Sequence, residues 1–373
     1  MLFEKQFCMK KIILFLSVLF FSVFAVAQST SFLIGGKVID AATKSPLQAA
    51  SVFAQNTTVG TATSIDGLFM VRLPNGGYDL VVTFTGYETA TKRISTTDAE
   101  DKNIVIELKQ KEKAMEEVSI KTSNEVKDGW TKYGDFFNEN FIGKTTNSKL
   151  CTIKNKEALH FYFSKKRNRL KVLASEPLEI ENPSLGYKIK YTLDSFTHDY
   201  GTLVSTFTGY PLFEEMQTSD SMQRIGWRES RLRAYKGSIL HFMRSLYNKN
   251  LKEEGFEIQL ITKLNGTDTA IKLSNFYLAL NCSKDDSTQV VEINPNQPDI
   301  AVLYKNEEPE TAYTQLNEDA PIKFELSIIN IPATQSIAIE QNGFYYNQND
   351  ITINGYWSWE KTGDMLPYDF KPE

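Results

Sequence analysis

Histidine and cysteine are scarce: the chain has three of each among 373 residues. Cys8 lies ahead of an apolar N-terminal run, which leaves Cys151 and Cys282 beyond it. Two cysteines cannot form a multi-disulfide scaffold, so the fold must rest on cores. They are either one bridge or two separate thiols, because spacing along a chain does not fix distance in space. The histidines are His160, His198 and His241, and none sits in an H-E-x-x-H or H-x-x-E arrangement. The sequence also lacks G-x-S-x-G, G-x-G-x-x-G, C-x-x-C and a P-loop. Lys284-Asp285-Asp286 has no EF-hand spacing and reads as a turn. No metal, cofactor or catalytic residue is therefore expected. The net charge is only -5, so the chain has no overall pull toward nucleic acid or an anionic membrane.

What is present points to export and to β-structure. Lys10 and Lys11 precede an apolar run, Ile12 to Val26, and Ala25-Val26-Ala27 has the small-x-small pattern of a cleavage site. Residues 1–27 are expected to be a signal peptide with Gln28 as the mature start, and Met9 is an alternative initiator to Met1. No second apolar run of spanning length, about 20 residues, occurs. The expected location is periplasmic, outer-membrane-associated or extracellular, peripheral to the membrane at most. Apolar residues make up 41% and aromatics 12%, with 17 Tyr and 24 Phe. Those aromatics favour half-buried pleated surfaces.

From Gly35 to Leu108, short β-type runs alternate with turn dipeptides. Asp66-Gly67 is a strong hairpin signal, since glycine accepts positive φ without steric cost. About seven strands at ~8–12-residue spacing predict a β-sandwich. Gly36-x-Val38, Asp40, Pro46-Leu47, Ala50-Ser51-Val52, Gly60-Thr61, Asp66-Gly67-x-Phe69, Gly77-x-Asp79-Leu80 and Gly86-Tyr87 appear in that order. The stretch resembles the carboxypeptidase-regulatory-like domain, a prealbumin-like sandwich common in secreted and outer-membrane proteins of Bacteroidetes. The resemblance implies an accessory module and no activity. In metallocarboxypeptidases the sandwich accompanies a separate zinc domain, and three histidines without ligand spacing do not supply one.

The expected boundaries are a sandwich at 33–108, a charged linker at 109–129 and a larger, mostly β domain at 130–373. Met115 to Ile120 resembles the segment that follows this sandwich in TonB-dependent receptors. Too few residues follow for a barrel of that class, and the chain's ending lacks a terminal aromatic. The larger region resembles a group of secreted Bacteroidetes proteins with this sandwich at the front, through Phe136–Gly143, Pro177–Tyr191, Arg233–Tyr247, Glu254-Gly255-Phe256 and Gly355–Pro367. The group implies compartment and architecture, and no mechanism.

Within that region, apolar residues recur at helical spacing from Leu232 to Tyr247 and predict one long amphipathic helix, Trp227 to Asn250. Three clusters are candidates for recognition. Arg228, Arg231, Arg233, His241, Arg244 and Lys249 could hold an anionic group or be a solvated helix face. Lys165, Lys166, Arg167, Arg169 and Lys171 read as a charged hairpin tip. Tyr356, Trp357 and Trp359 sit on a predicted strand, Ile351 to Trp359. They could form a sugar-stacking platform or pack internally.

The expected function is a non-catalytic envelope module that docks or binds a periplasmic or outer-membrane partner. The alternatives are a glycan- or peptide-binding protein using Tyr356, Trp357 and Trp359, and a hydrolase of unrecognised type. Nucleic acid is not an expected partner, and the sequence leaves oligomeric state open.

Overall fold

The structure is a computed structural model. It describes residues 31–98, 103–111, 124–264, 267–332, 335–346, 348 and 351–372. The expected signal peptide and most of the expected linker, including Met115 to Ile120, lie outside the described residues. Among the described residues no helix is long and apolar enough to cross a membrane.

The N-terminal part is a seven-stranded sandwich: β1 (Ser31–Asp40), β2 (Ser51–Ala54), β3 (Gly60–Ala62), β4 (Leu68–Pro74), β5 (Gly77–Thr83), β6 (Ala90–Ser95) and β7 (Ile104–Leu108). One sheet has the order β4-β1-β7 and the other β3-β2-β5-β6. Alternation sorts the faces. On β4, Phe69, Val71 and Leu73 are buried while Leu68, Met70 and Arg72 are exposed. Facing them, Val52, Leu80 and Val82 are fully buried, each contributing about 1.5–3 kcal/mol of apolar transfer. Gly67 takes φ 74° at the predicted hairpin. There a Cβ would meet Val38 O at 2.5 Å.

Asp40 and Tyr87, both part of the resemblance, form one polar joint. Asp40 Oδ1 accepts from Thr43 N (2.7 Å) and Ala42 N (2.8 Å). Its Oδ2 accepts from the Tyr87 hydroxyl (2.7 Å) and Gln110 Nε2 (3.0 Å). Donation from Thr43, then from Tyr87 and Gln110, holds this carboxyl far below the usual range, because hydrogen bonds to the charged form favour it. Pairing continues beyond β7. Gln110 bridges to Tyr87 and Lys111 N donates to Gly86 O, so the sandwich extends past Leu108.

The larger region has two layered units. The first opens with α1 (Gly129–Phe141), which the sequence reading missed as a helix. Phe137 and Phe141 are fully buried on it and stack at 5.0 Å. They pack on a six-stranded sheet made of β8 (Thr152–Ile153), β9 (Leu159–Ser164), β10 (Arg169–Ala174), β11 (Leu178–Asn182), β12 (Tyr187–Asp199) and β13 (Val204–Glu215). Lys165, Lys166 and Arg167 lie in the exposed turn between β9 and β10, while Arg169 and Lys171 of the same predicted hairpin tip are exposed on β10 itself.

The predicted long helix is two helices, α2 (Ser221–Tyr235) and α3 (Ile239–Asn248). Periodicity survives the break, which is why the sequence reads as continuous. Lys236 is extended, Gly237 takes φ 75° and Ser238 caps α3 through His241 N (3.2 Å). A side chain at 237 would place its Cβ 2.5 Å from Glu325 Oε2.

The second unit holds β14 (Phe256–Leu264), β15 (Thr267–Lys272), α4 (Phe276–Ala279), β16 (Ser283–Lys284), β17 (Val291–Ile293), β18 (Asp299–Tyr304), α5 (Thr311–Leu316), β19 (Glu325–Asn330), β20 (Ile337–Ile339), β21 (Thr352–Gly355) and α6 (Tyr356–Trp359). Its sheets have the orders β15-β14-β18-β19-β21 and β16-β17-β20. Phe242, Met243 and Leu246 of α3 enter its core with Phe256, Ile258 and Val302. The expected strand Ile351–Trp359 is cut short by α6. Cys151 and Cys282 are separate free thiols that pack against different cores.

Candidate ligand cavity at the domain junction

The sandwich is fastened to both units of the larger region. Its β2–β3 loop runs beside β13. Asn56 N donates to Pro211 O (2.7 Å), Phe213 N donates to Thr57 O (2.9 Å), and Thr57 bridges Leu212. Gly77, at the start of β5, pairs with the side chain of Asn342. The C-terminal segment crosses the joint as a strap. Tyr368 N donates to Asn56 O (2.7 Å), and Asp369 accepts from Thr58 N (3.0 Å). Arg244 secures this strap by donating to Asn342 O (2.9 Å), Tyr368 O (2.9 Å) and Phe370 O (3.0 Å).

Where the three bodies meet they leave an open cavity of 690 Å³. The sandwich contributes Gln55, Asn56, Asp79 and Arg93, the first unit Tyr191, Asp194, Phe207 and Tyr210, and the second unit and strap Tyr345, Trp357, Glu360, Asp364 and Tyr368. Pockets of about 300–1,000 Å³ at domain interfaces are where small ligands are commonly held.

A bulge places one of the carboxyls and a helix end another. The β12–β13 register shifts between Leu193 and Ser195, so Asp194 is the extra residue of a bulge, a device that re-aims a side chain. Burial raises its pKa, while the Tyr210 hydroxyl donates to it and opposes the rise. Glu360 follows α6. Burial raises its pKa well above the usual range, and the nearby carboxyls of Asp364, Glu325, Glu307 and Glu310 add to the shift. Asp364 is buried and pushed up to about 6 despite accepting from Thr145 Oγ1 (2.7 Å) and Asn147 Nδ2 (3.0 Å). Behind them Glu325, 6% exposed with Oε2 lacking a partner, is pushed up to about 8 by burial. Among the described residues no group of three or more His, Cys, Asp and Glu could hold a metal ion.

The sequence-predicted candidates scatter. Tyr356 and Trp357 are buried, at 5% and 7% exposed, and Trp359 is half-buried. Trp357 Nε1 donates to Gly237 O (2.6 Å), the Tyr356 hydroxyl accepts from Glu310 N (3.2 Å), and Trp359 Nε1 reaches Glu310 Oε2 at 3.4 Å. The helical turn replaces the expected strand, so no three-ring platform forms on one face. Trp357 alone of the three lines the large cavity.

Arg231 is tied down by Leu185 O (2.7 Å), Gly186 O (3.1 Å) and Glu215 Oε1 (3.0 Å), and lies 3.9 Å over the Tyr187 ring. It therefore staples α2 to the first sheet. Arg228 is exposed and borders a separate 460 Å³ cleft with Arg231, Glu215 and Asp369. His241 is buried. Its Nδ1 accepts from Gly237 N (3.2 Å), which puts the ring proton on Nε2, facing Glu254 Oε2 at 3.1 Å. Burial lowers its pKa, with Glu254 opposing. His160 pairs with Glu125 on the surface and His198 with Ser205, so the three histidines share no site.

A family model for the CarboxypepD_reg-like domain matches residues 34–120. With the two-sheet architecture, this defines the N-terminal part as a CarboxypepD_reg-like β-sandwich within a mainly β protein. No curated protein matches the chain. Among solved structures, similarity extends to a 3-chlorocatechol 1,2-dioxygenase from Rhodococcus opacus 1CP, at 10% identity over 22% of this chain and 60% of that one, TM-score 0.19. The pilus 2b backbone protein of group B streptococcus aligns at 21% identity over 22% and 42%, TM-score 0.19. A DUF3823 family protein from Bacteroides ovatus ATCC 8483 aligns at 12% identity over 50% and 82%, TM-score 0.18. The chain spans less than two thirds of the first two, and superpositions this loose carry no argument about activity.

Proposed function

We infer that the chain is an exported, envelope-associated binding protein without catalysis, whose sandwich is a fixed wall of the ligand site. The observation that carries this reading is the 690 Å³ cavity, walled by the sandwich, both units of the larger region and the C-terminal strap. The histidines lie apart, and Arg231, Tyr356 and Trp357 are used internally, which leaves the junction as the place where polar and aromatic groups converge. Export is supported by Lys10, Lys11, the apolar run from Ile12 to Val26 and Ala25-Val26-Ala27. The sandwich's resemblance to modules of Bacteroidetes envelope proteins agrees with it. The partner is then a small ligand, or one segment of an envelope protein or peptide, entering the cavity.

Two experiments test this. Fractionation of the native host should recover the chain beyond the inner membrane with its N-terminus trimmed near Gln28; an untrimmed cytoplasmic chain contradicts export. Thermal shift against amino-acid, peptide and sugar panels should find a stabilising ligand by mass action. Thr208→Trp, at an exposed position of the cavity wall, should abolish the shift. A ligand whose shift survives that substitution contradicts the site.

A further inference from the structure

We propose that the ligand of the junction cavity carries a protonated alkylamine or alkylguanidinium group, held by Asp194 and Glu360 among the cavity's aromatic rings. This rests on the binding reading above and adds the chemistry of what enters.

The hydrogen-bonding groups around the cavity are lopsided. Both cations in its wall are engaged. Arg93 Nε donates to Asp79 Oδ1 (3.2 Å) with its guanidinium 4.6 Å over the Tyr346 ring, and Lys361 Nζ donates to Asn140 O (3.0 Å). The side-chain amide donors are engaged as well. Gln55 Nε2 reaches Gly209 O at 3.4 Å, and Gln348 Nε2 donates to the Tyr368 hydroxyl (3.1 Å) and Tyr345 O (3.2 Å).

The acceptors are in surplus. Asn56 Oδ1 is buried without a partner. Asp194, lifted out of the ladder by its bulge, has the Tyr210 hydroxyl as its donor. Glu360 lines the same cavity, and the carboxyls of Asp364, Glu325, Glu307 and Glu310 add to the burial that raises its pKa. A buried acceptor without a donor is costly, and a carboxyl without a counter-charge more so.

A ligand that suits such a wall brings donors and positive charge. An anion meets like charge. A saccharide hydroxyl needs donors as well as acceptors from its site, and the amides of Gln55 and Gln348 already donate within the protein. An ammonium or guanidinium is donor-only. Its charge-assisted bonds to carboxylates are among the stronger ones. The rings of Tyr191, Phe207, Tyr210 and Tyr345 in the same wall add attraction for a cation over a ring face.

Isothermal titration of the full mature chain tests the assignment. The probes are Nα-acetyl-lysine amide and agmatine, set against the neutral Nε-acetylated lysine analogue and cellobiose. Both cationic probes should bind and both neutral probes should not. Asp194→Asn and Glu360→Gln should each weaken the cationic probes by about tenfold or more. Asp194 is solvent-reachable, so its variant should fold, and circular dichroism of the variant checks this before titration. Failure of both cationic probes to bind overturns the proposal, as does unchanged affinity in Asp194→Asn. Cellobiose binding that Thr208→Trp blocks overturns the charge assignment and leaves the cavity reading intact. Cation binding that survives Thr208→Trp places the site elsewhere and overturns both.

Discussion

The side-chain amide of Asn342 pairs with both backbone groups of Gly77. Its Nδ2 donates to Gly77 O at 2.9 Å, and its Oδ1 accepts from Gly77 N at 3.3 Å. An amide stands in for a neighbouring strand at the start of β5, across 265 residues of sequence. Asn342→Ala leaves both Gly77 groups buried and unpaired, which costs about 1–3 kcal/mol for such a group. Urea denaturation should show that loss, and amide exchange at Gly77 should accelerate. A variant as stable as the parent, with Gly77 still protected, contradicts the joint.

Arg244 holds the strap by donating to three backbone carbonyls. Lysine cannot reproduce that planar fork, so Arg244→Lys should behave nearly as badly as Arg244→Ala. A loss of about 2–5 kcal/mol is expected for stranding partly buried charge-assisted bonds. Limited proteolysis should then cut within 365–372 in both variants and spare the parent. Cleavage of the parent at the same rate counts against the strap.

Two buried acids make stability depend on pH. Glu325 and Asp364 have native pKa values raised to about 8 and about 6, mainly by burial. A group whose native pKa is raised contributes fully below its unfolded value. That contribution fades as pH rises and is gone above the native value. The Asp364 contribution should be lost by pH near 6, and the Glu325 contribution between pH 4.5 and 8. His241 runs the opposite way, because its pKa is lowered. The clean reading is therefore the difference between parent and Glu325→Gln. The variant should gain on the parent by a few kcal/mol between pH 5.5 and 8.5, at about 1.4 kcal/mol for each pH unit between the unfolded and native pKa. Parallel curves of urea midpoint against pH contradict an acid kept neutral by burial.

Gly237 ties the helix break to the Glu325 pocket. Gly237→Ala meets both a positive φ and a Cβ contact of 2.5 Å with Glu325 Oε2. The expected loss is at least about 1–3 kcal/mol. Melting temperature measures it, and an unchanged value contradicts the geometry.

The sandwich was legible because its rules are local. Alternation gave its strands, Asp66-Gly67 its hairpin, and Asp40 with Tyr87 carried the resemblance. The helix α1 is legible in the same way, because Tyr133, Phe136, Phe137 and Phe141 have helical spacing. The break at Gly237 was harder to see, since the apolar stripe resumes in phase after Ser238 and periodicity is blind to one residue in left-handed backbone. Trp357 and Trp359 looked like a strand face because the four-residue helix α6 is too short to show a period. The cavity was not legible at all. Asn56, Asp194 and Glu360 have no common spacing, and tertiary packing brings them together. A bulge at Asp194 leaves no signature in sequence, and the joints at Asn342 and Arg244 are made to backbone, which every residue has.

A ligand cavity walled by the sandwich exists only if the sandwich is held in place. The most direct measurement is the distance between a spin label on exposed Met70 of the sandwich and one on Lys166 at the β9–β10 turn, by double electron–electron resonance on the full chain. The account predicts one narrow distance distribution, which broadens in Asn342→Ala combined with Arg244→Ala. A broad distribution in the parent, showing a sandwich that swings freely on its connection, contradicts it.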